Sequence, residues 1–377
     1  MLLTSRERII KTLKREKTDR VPICLYEFDG IYESWIHNYP EYEEILQHAE
    51  GKTDKFFHWS PVSCNDVFFF GKFDSKNIKI RSWDEGKSRF TRYTYVTPKG
   101  EITSLYRNDE SIHTTWCLEH LCKNREDAEK ILSIPYIPAE YSVNNYFELD
   151  KKIGDRGIVI GDIGDALCHI PDLFGFSNFM MVYLDEPELI FRLLDFFQER
   201  LIGYLEQILN KGAKTLYRIC GPEYATPPYF SPADFEKLVF NYDRKLIDIL
   251  HKHGAYARIH SHGKVKKILK YLKEMNADAT DPIEPPPDGD VEISEAREIL
   301  GDNVILFGNI EERLFEIGTK EDIKREVKKT LESGKKAGNF VLCPTAMPLN
   351  TPLDTKISDN IKCYIDYGYN SGNIKRS

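Results

Sequence analysis

Eight apolar, strand-like runs alternate with long amphipathic stretches, and that alternation leaves few folds open to this chain. The runs are VPICLYE (21–27), KFFHWS (55–60), GIVIGD (157–162), TLYRICG (215–221), YARIHSH (256–262), ATDPIE (279–284), VILFGN (304–309) and FVLCPTA (340–346). Between the later runs lie helical patterns, among them PELIFRLLDFFQERLIGYLEQILNKG, SPADFEKLVFNYDRKLIDILHKHG and KEDIKREVKKTLESGKKAG. The last two stop at glycine close behind a basic residue or histidine. Ser231-Pro232 supplies an N-cap and a first-turn proline.

Strands that alternate with helices demand a parallel sheet. Both a (β/α)8 TIM barrel and a doubly wound open sheet satisfy the pattern. The barrel is favoured because Glu27, Asp162, Glu223, His260, His262, Glu284, Asn309 and Cys343 all fall at carboxyl ends of runs. A barrel gathers its functional loops there. The opening TSRERIIKTLKRE has the Ser/Thr-to-Glu spacing of a helix start, hence an N-terminal helical extension. RFTRYTYVTPKGEITSLYR alternates around Pro98-Lys99-Gly100 and reads as a β-hairpin. The expected class is thus α/β, one barrel domain over 1–377, with about 76–150 inserted between barrel strands two and three.

Composition narrows the function. A formal charge of −8, with both signs mixed along the chain, offers no basic stripe for nucleic acid. The lysines from Lys264 to Lys273 read as a solvated helix face. With no signal-like or membrane-spanning stretch and eight scattered cysteines without a CxxC pair, the expectation is a cytoplasmic, reduced protein with no membrane partner.

His260-Ser261-His262 carries the strongest chemical signal. Side chains at i and i+2 of a strand point the same way, so the imidazoles can converge. With Cys343 brought to the same rim they would form a His/His/Cys zinc set with an open position. The competing reading is a set of hydrogen-bonded pocket residues. Glu223 is a candidate general base or fourth ligand, or else a carboxylate paired with Arg218 or with a helix N-terminus. Asp162 would face the barrel mouth, while Asp165 suits an N-cap. Glu284 is a substrate-contact candidate or a structural member of the Pro285-Pro286-Pro287 loop. Trp59 and His58 read as pocket wall. The chain has no GxGxxG, no Walker loop, no HExxH and no GxSxG.

Four segments resemble the uroporphyrinogen decarboxylase superfamily, which includes zinc-dependent methyltransferases that work with corrinoid proteins. They are TSRERIIKTLKREKTDRVPI, Phe307-Gly308-Asn309-Ile310, FVLCPTAMPLNTP and ARIHSHGKVKKIL. The last is similar to the methyltransferase His-x-Cys segment, with His262 in place of cysteine. The resemblance implies the barrel, and zinc held by His260, His262 and Cys343. A small-molecule substrate is expected to touch Glu27, Trp59, Glu284 and Asn309 at the strand ends, and the resemblance further implies cobalamin on a partner protein and pairing into a homodimer.

Departures choose between branches. Where decarboxylases carry an arginine-rich segment, this chain reads CLYEFDGIYESW, and Thr345 stands at the position of their late histidine. A tetrapyrrole with many carboxylates would meet Glu27 and Asp29, costing roughly 1 kcal/mol or more per unfavourable pair. The expected function is methyl transfer, with Glu223 or Asp162 handling the proton or orienting the substrate. A carboxy-lyase and a non-catalytic small-molecule or corrinoid-partner binding barrel are the rivals.

Overall fold

The computed structural model describes residues 2–26, 28, 30–31, 34–110, 114–334, 339–348 and 351–373. Its centre is a seven-stranded, all-parallel, curled sheet. The strands are β1 (Lys55–Trp59), β2 (Gly157–Gly164), β3 (Leu216–Cys220), β4 (Tyr256–His260), β5 (Ala279–Asp281), β6 (Ile305–Ile310) and β7 (Phe340–Pro344). Each pairs with its neighbour in chain order. Such strands are covered on both faces, which is why they read as continuous apolar runs.

Helices cross between the strands, and their ends follow from local chemistry. Ser231 accepts the Asp234 amide in a capping box ahead of Pro232. Thr319 Oγ1 accepts the Asp322 amide at 3.2 Å to start the helix Lys320–Gly334.

The first expected strand does not form as one. Residues 21–25 make a single parallel bridge, Ile23 to Leu342. The Leu342 amide donates to Pro22 O at 2.9 Å, Cys24 N to Leu342 O at 3.0 Å and Asp54 N to Ile23 O at 2.6 Å. This extended segment therefore runs between β7 and the start of β1. Pro22 has no amide hydrogen to give, and Tyr26 turns into the left-handed region at φ 54. A longer ladder cannot be built from so few residues. The ATDPIE run likewise ends as a strand at Asp281, because Pro282 has no ladder donor. Glu27 lies outside the described residues.

The sheet has two faces with different fillings. Phe56, Ile158, Ile160, Leu216, Ala279, Ile305, Phe307, Val341 and Cys343 form an apolar cluster inside the curl, joined by Ile9 and Leu13 of the helix Ser5–Leu13. The alternate residues, such as Phe57, Val159, Tyr217 and Ile259, pack outward against the helices. The expected hairpin is the middle of a four-stranded antiparallel sheet, Ile78–Glu85, Ser88–Thr97, Gly100–Asp109 and Thr115–Glu119, placed between β1 and β2. Among the described residues no helix is long and apolar enough to cross a membrane.

Candidate active site

Along the inward rows of the sheet, side chains change from apolar to polar toward the carboxyl ends. Phe56 is followed by His58, Ile158 and Ile160 by Asp162, Leu216 by Arg218, and Ala279 by Asp281; Arg258 is followed by His260. Period-two alternation keeps each series on one face. The result is an apolar floor under a charged mouth.

Two carboxylates, Asp162 partly buried and Asp281 fully buried, organise that mouth. His58 Nδ1 lies 2.6 Å from Asp162 Oδ2, and Arg218 Nη1 lies 3.6 Å from the same oxygen. Arg258 Nε approaches Asp281 Oδ1 to 3.1 Å, and His260 Nδ1 lies 3.1 Å from Asp281 Oδ2. The Arg258–Asp281 contact is a close ion pair without hydrogen-bond alignment, since neither atom has a hydrogen-bond partner. Tyr26 joins the two groups. It accepts from Arg218 Nη2 at 3.3 Å, and its hydroxyl lies 3.5 Å from the His260 ring nitrogens.

Burial and charge set the protonation states. Burial works to raise the Asp281 carboxyl, but Arg258 and His260 outweigh it and hold it well below the usual carboxylate range. Burial pushes the His260 imidazole down against the pull of Asp281. At His262 the net direction reverses. Burial lowers it, yet Glu284 raises it further, so the net shift is upward.

The His-x-His pair converges as expected, with ring centroids 4.7 Å apart and planes at 86°. His262 Nδ1 sits 2.8 Å from Glu284 Oε1, and the Gly263 amide donates to Glu284 Oε2 at 2.5 Å. Glu284 is thereby occupied in orienting His262. With a carboxylate at each Nδ1, each neutral ring carries its proton there and presents Nε2 as an acceptor.

Cys343 is placed differently. Its thiol lies within the inward apolar cluster beside Cys24. Burial, then Cys24 and Asp281, push it far above its ordinary value, with Arg258 opposing. Among the described residues no group of three or more His, Cys, Asp or Glu is arranged to hold a metal ion. His260, His262 and Cys343 thus do not fit together as a zinc set. Cys343 is still inside β7 and below the rim, whereas His262 is already past the end of β4.

The remaining expected residues divide. Glu223 stands on the turn after β3, its Oε2 accepting the Gly221 amide at 3.1 Å. Asp162 is at the mouth as expected. Trp59 is on the outer face of β1, donating to Asn145 Oδ1 at 2.9 Å and meeting Tyr146 edge-on. Asn309 accepts from Thr330 Oγ1 of an outer helix at 2.9 Å. Strand parity explains Trp59, which neighbours the inward-facing His58.

Tyr26, Asp281 and Glu311 are mouth residues that the reading of the sequence did not single out. Asp281 carried one usable signal, a carboxylate ending a buried run beside Arg258 and His260. Glu311 follows β6. Burial, with Glu284 and Asp288, pushes its carboxyl up to about 7, and its Oε1 is buried without a hydrogen-bond partner.

Known proteins place this architecture. A uroporphyrinogen decarboxylase 2, chloroplastic, from Oryza sativa subsp. japonica is 24% identical over 226 residues, 58% of this chain and 54% of that protein. The methylcobamide:CoM methyltransferase MtaA of Methanosarcina barkeri is 25% identical over 185 residues, 49% of this chain and 52% of that protein. The match spans about half the length of these relatives. Among solved structures, a methyltransferase from Methanosarcina mazei superposes with a TM-score of 0.59 at 17% identity, covering 97% of this chain and 98% of that one. Residues 122–364, more than half of the chain, match the uroporphyrinogen decarboxylase (URO-D) family, and the chain belongs to that family.

Proposed function

We propose that the chain moves a methyl group between a small methoxylated substrate and a corrinoid carried by a partner protein. The site is the mouth of one (β/α)8 barrel in which residues 21–25 act as the eighth stave. The observation that carries this reading is how the mouth matches its charges. Arg258 faces Asp281, Arg218 faces Asp162, and Glu223 and Glu284 add negative charge around them. Such a mouth suits a neutral substrate and repels a polycarboxylate tetrapyrrole.

When bound, the corrinoid supplies the cobalt centre that takes or returns the methyl group. The chain's own residues do the rest. His262, with its proton affinity raised by Glu284, hands a proton to the oxygen that gives up its methyl group and takes it back in reverse. His260, kept neutral by burial and anchored by Asp281, orients that oxygen with Tyr26. Asp162 fixes His58, and Glu223 orients the substrate from the rim.

Incubated with a methoxylated aromatic compound and reduced cobalamin, the protein is expected to release the demethylated product. His262→Ala should lower that rate about 10²–10⁴-fold. Decarboxylation of uroporphyrinogen without methyl transfer would overturn the reading in favour of a carboxy-lyase. Ligand binding without turnover, indifferent to His262→Ala, would instead leave a non-catalytic barrel.

A further inference from the structure

Beneath the turn that carries Glu223 lie two carboxyls that the mouth does not use. Asp165 follows β2 and is 1% exposed, while Asp243, in the first turn of the helix Asn241–Lys252, is 0% exposed. They lie within hydrogen-bond reach of each other. Asp165 Oδ1 accepts the Cys168 amide at 2.6 Å. Asp165 Oδ2 and both oxygens of Asp243 are buried with no donor.

Three orphaned acceptors at one buried spot need an explanation, because buried polar atoms are nearly always satisfied. The titratable groups that face the pair are Cys168 from its own loop and Glu223 and Tyr224 from the turn after β3. All are acids, so no side-chain cation among them neutralises the pair. Two ionised carboxylates cannot share such a place, whereas one proton between them turns an acceptor into a donor.

The pair also presses on the mouth. A Cβ at Gly221 would come within 2.0 Å of Asp165 Oδ1, and Gly221 holds φ +126. The Gly221 amide in turn holds Glu223 at 3.1 Å.

We propose that Asp165 and Asp243 share a single proton, and that this pair is the positioning device for the Glu223 turn. The role of Glu223 rests on the function proposed above, but the proton itself does not. Burial, reinforced by the partner carboxylate, raises proton affinity at Asp165, and Asp243 is raised by burial as well. The folded chain therefore keeps a proton that the unfolded chain releases. Stability from this source is complete below the ordinary carboxylate pKa and drains as pH rises toward the raised native value.

The test compares wild type with Asp243→Asn and, should that fail to fold, Asp165→Asn. Infrared difference spectra near neutral pH should show a protonated carboxyl in wild type that the variant lacks. Urea midpoints followed from acid to alkaline pH should fall less steeply in the variant, by about tenfold in the unfolding constant per pH unit, one proton's worth. Glu223→Gln removes a neighbouring negative charge and should move proton loss to lower pH. Identical spectra and parallel pH profiles would overturn the shared proton. An unmoved titration in Glu223→Gln would overturn the link to the turn. Neither readout depends on methyl transfer, so either can fail while the proposed activity stands.

Discussion

Asp281→Ala is expected to destabilise the fold by about 3–5 kcal/mol, because it leaves the buried Arg258 guanidinium without its counter-charge. Asp281 is 1% exposed, and its two oxygens face Arg258 and His260 at 3.1 Å each. Arg258 also lies 4.9 Å from the centroid of the Phe307 ring, against the apolar floor, where water cannot replace the lost carboxylate. Urea unfolding measures the cost. Replacing both partners by apolar residues, Arg258→Met with Asp281→Leu, should recover most of it, since the penalty comes from a stranded charge. A loss below about 1 kcal/mol, the size of an exposed pair, would show that Arg258 is neutralised elsewhere. The pH dependence has a definite sign. The native carboxyl is held below its unfolded value, so its stabilisation is present above the ordinary carboxylate pKa and is lost as pH falls toward the depressed native one.

Asp54→Ala should cost a similar amount, about 3–5 kcal/mol, through a different part of the molecule. Asp54 is 0% exposed and accepts Arg8 Nη1 and Arg20 Nη1 at 2.6 Å each and the Ile23 amide at 3.0 Å. One carboxylate thus ties the first helix, the extended segment 21–25 and the entry to β1. Its removal leaves the buried Arg20 guanidinium without a carboxylate and the Ile23 amide without its acceptor, while Arg8 keeps Asp19 at 2.8 Å. Hydrogen exchange should quicken at the Cys24 and Leu342 amides, which join this segment to β7. If those amides stay protected while global stability falls, the carboxylate holds the helix alone.

Much of the architecture was legible in the order of residues. Seven of the eight strand-like runs contain strands, because a strand buried on both faces needs an unbroken apolar run. The helix that begins at Pro232 starts where Ser231 and its proline place it. The hairpin around Pro98 and Lys99 was visible in its alternation, though its two outer partner strands were not. His260 and His262 converge as their spacing requires.

The mouth was less legible, for reasons that can be named. His58 and Asp162 are 104 positions apart, and Tyr26 and His260 are 234 apart; each meets only because the sheet curls. Alternation says that two residues face opposite ways, but not which of them faces inward. Trp59 and His58 were both expected in the pocket wall, yet only His58 faces the mouth.

By itself, the order of apolar and polar residues determined the strand–helix rhythm, the helix starts and the pairing of His260 with His262. These depend on neighbours a few residues away. Tertiary structure alone decided that Cys343 lies in the floor beside Cys24, that Asp281 neutralises Arg258, and that Asp165 meets Asp243. The height of a side chain along the sheet is set by the register between strands, and burial then sets its charge.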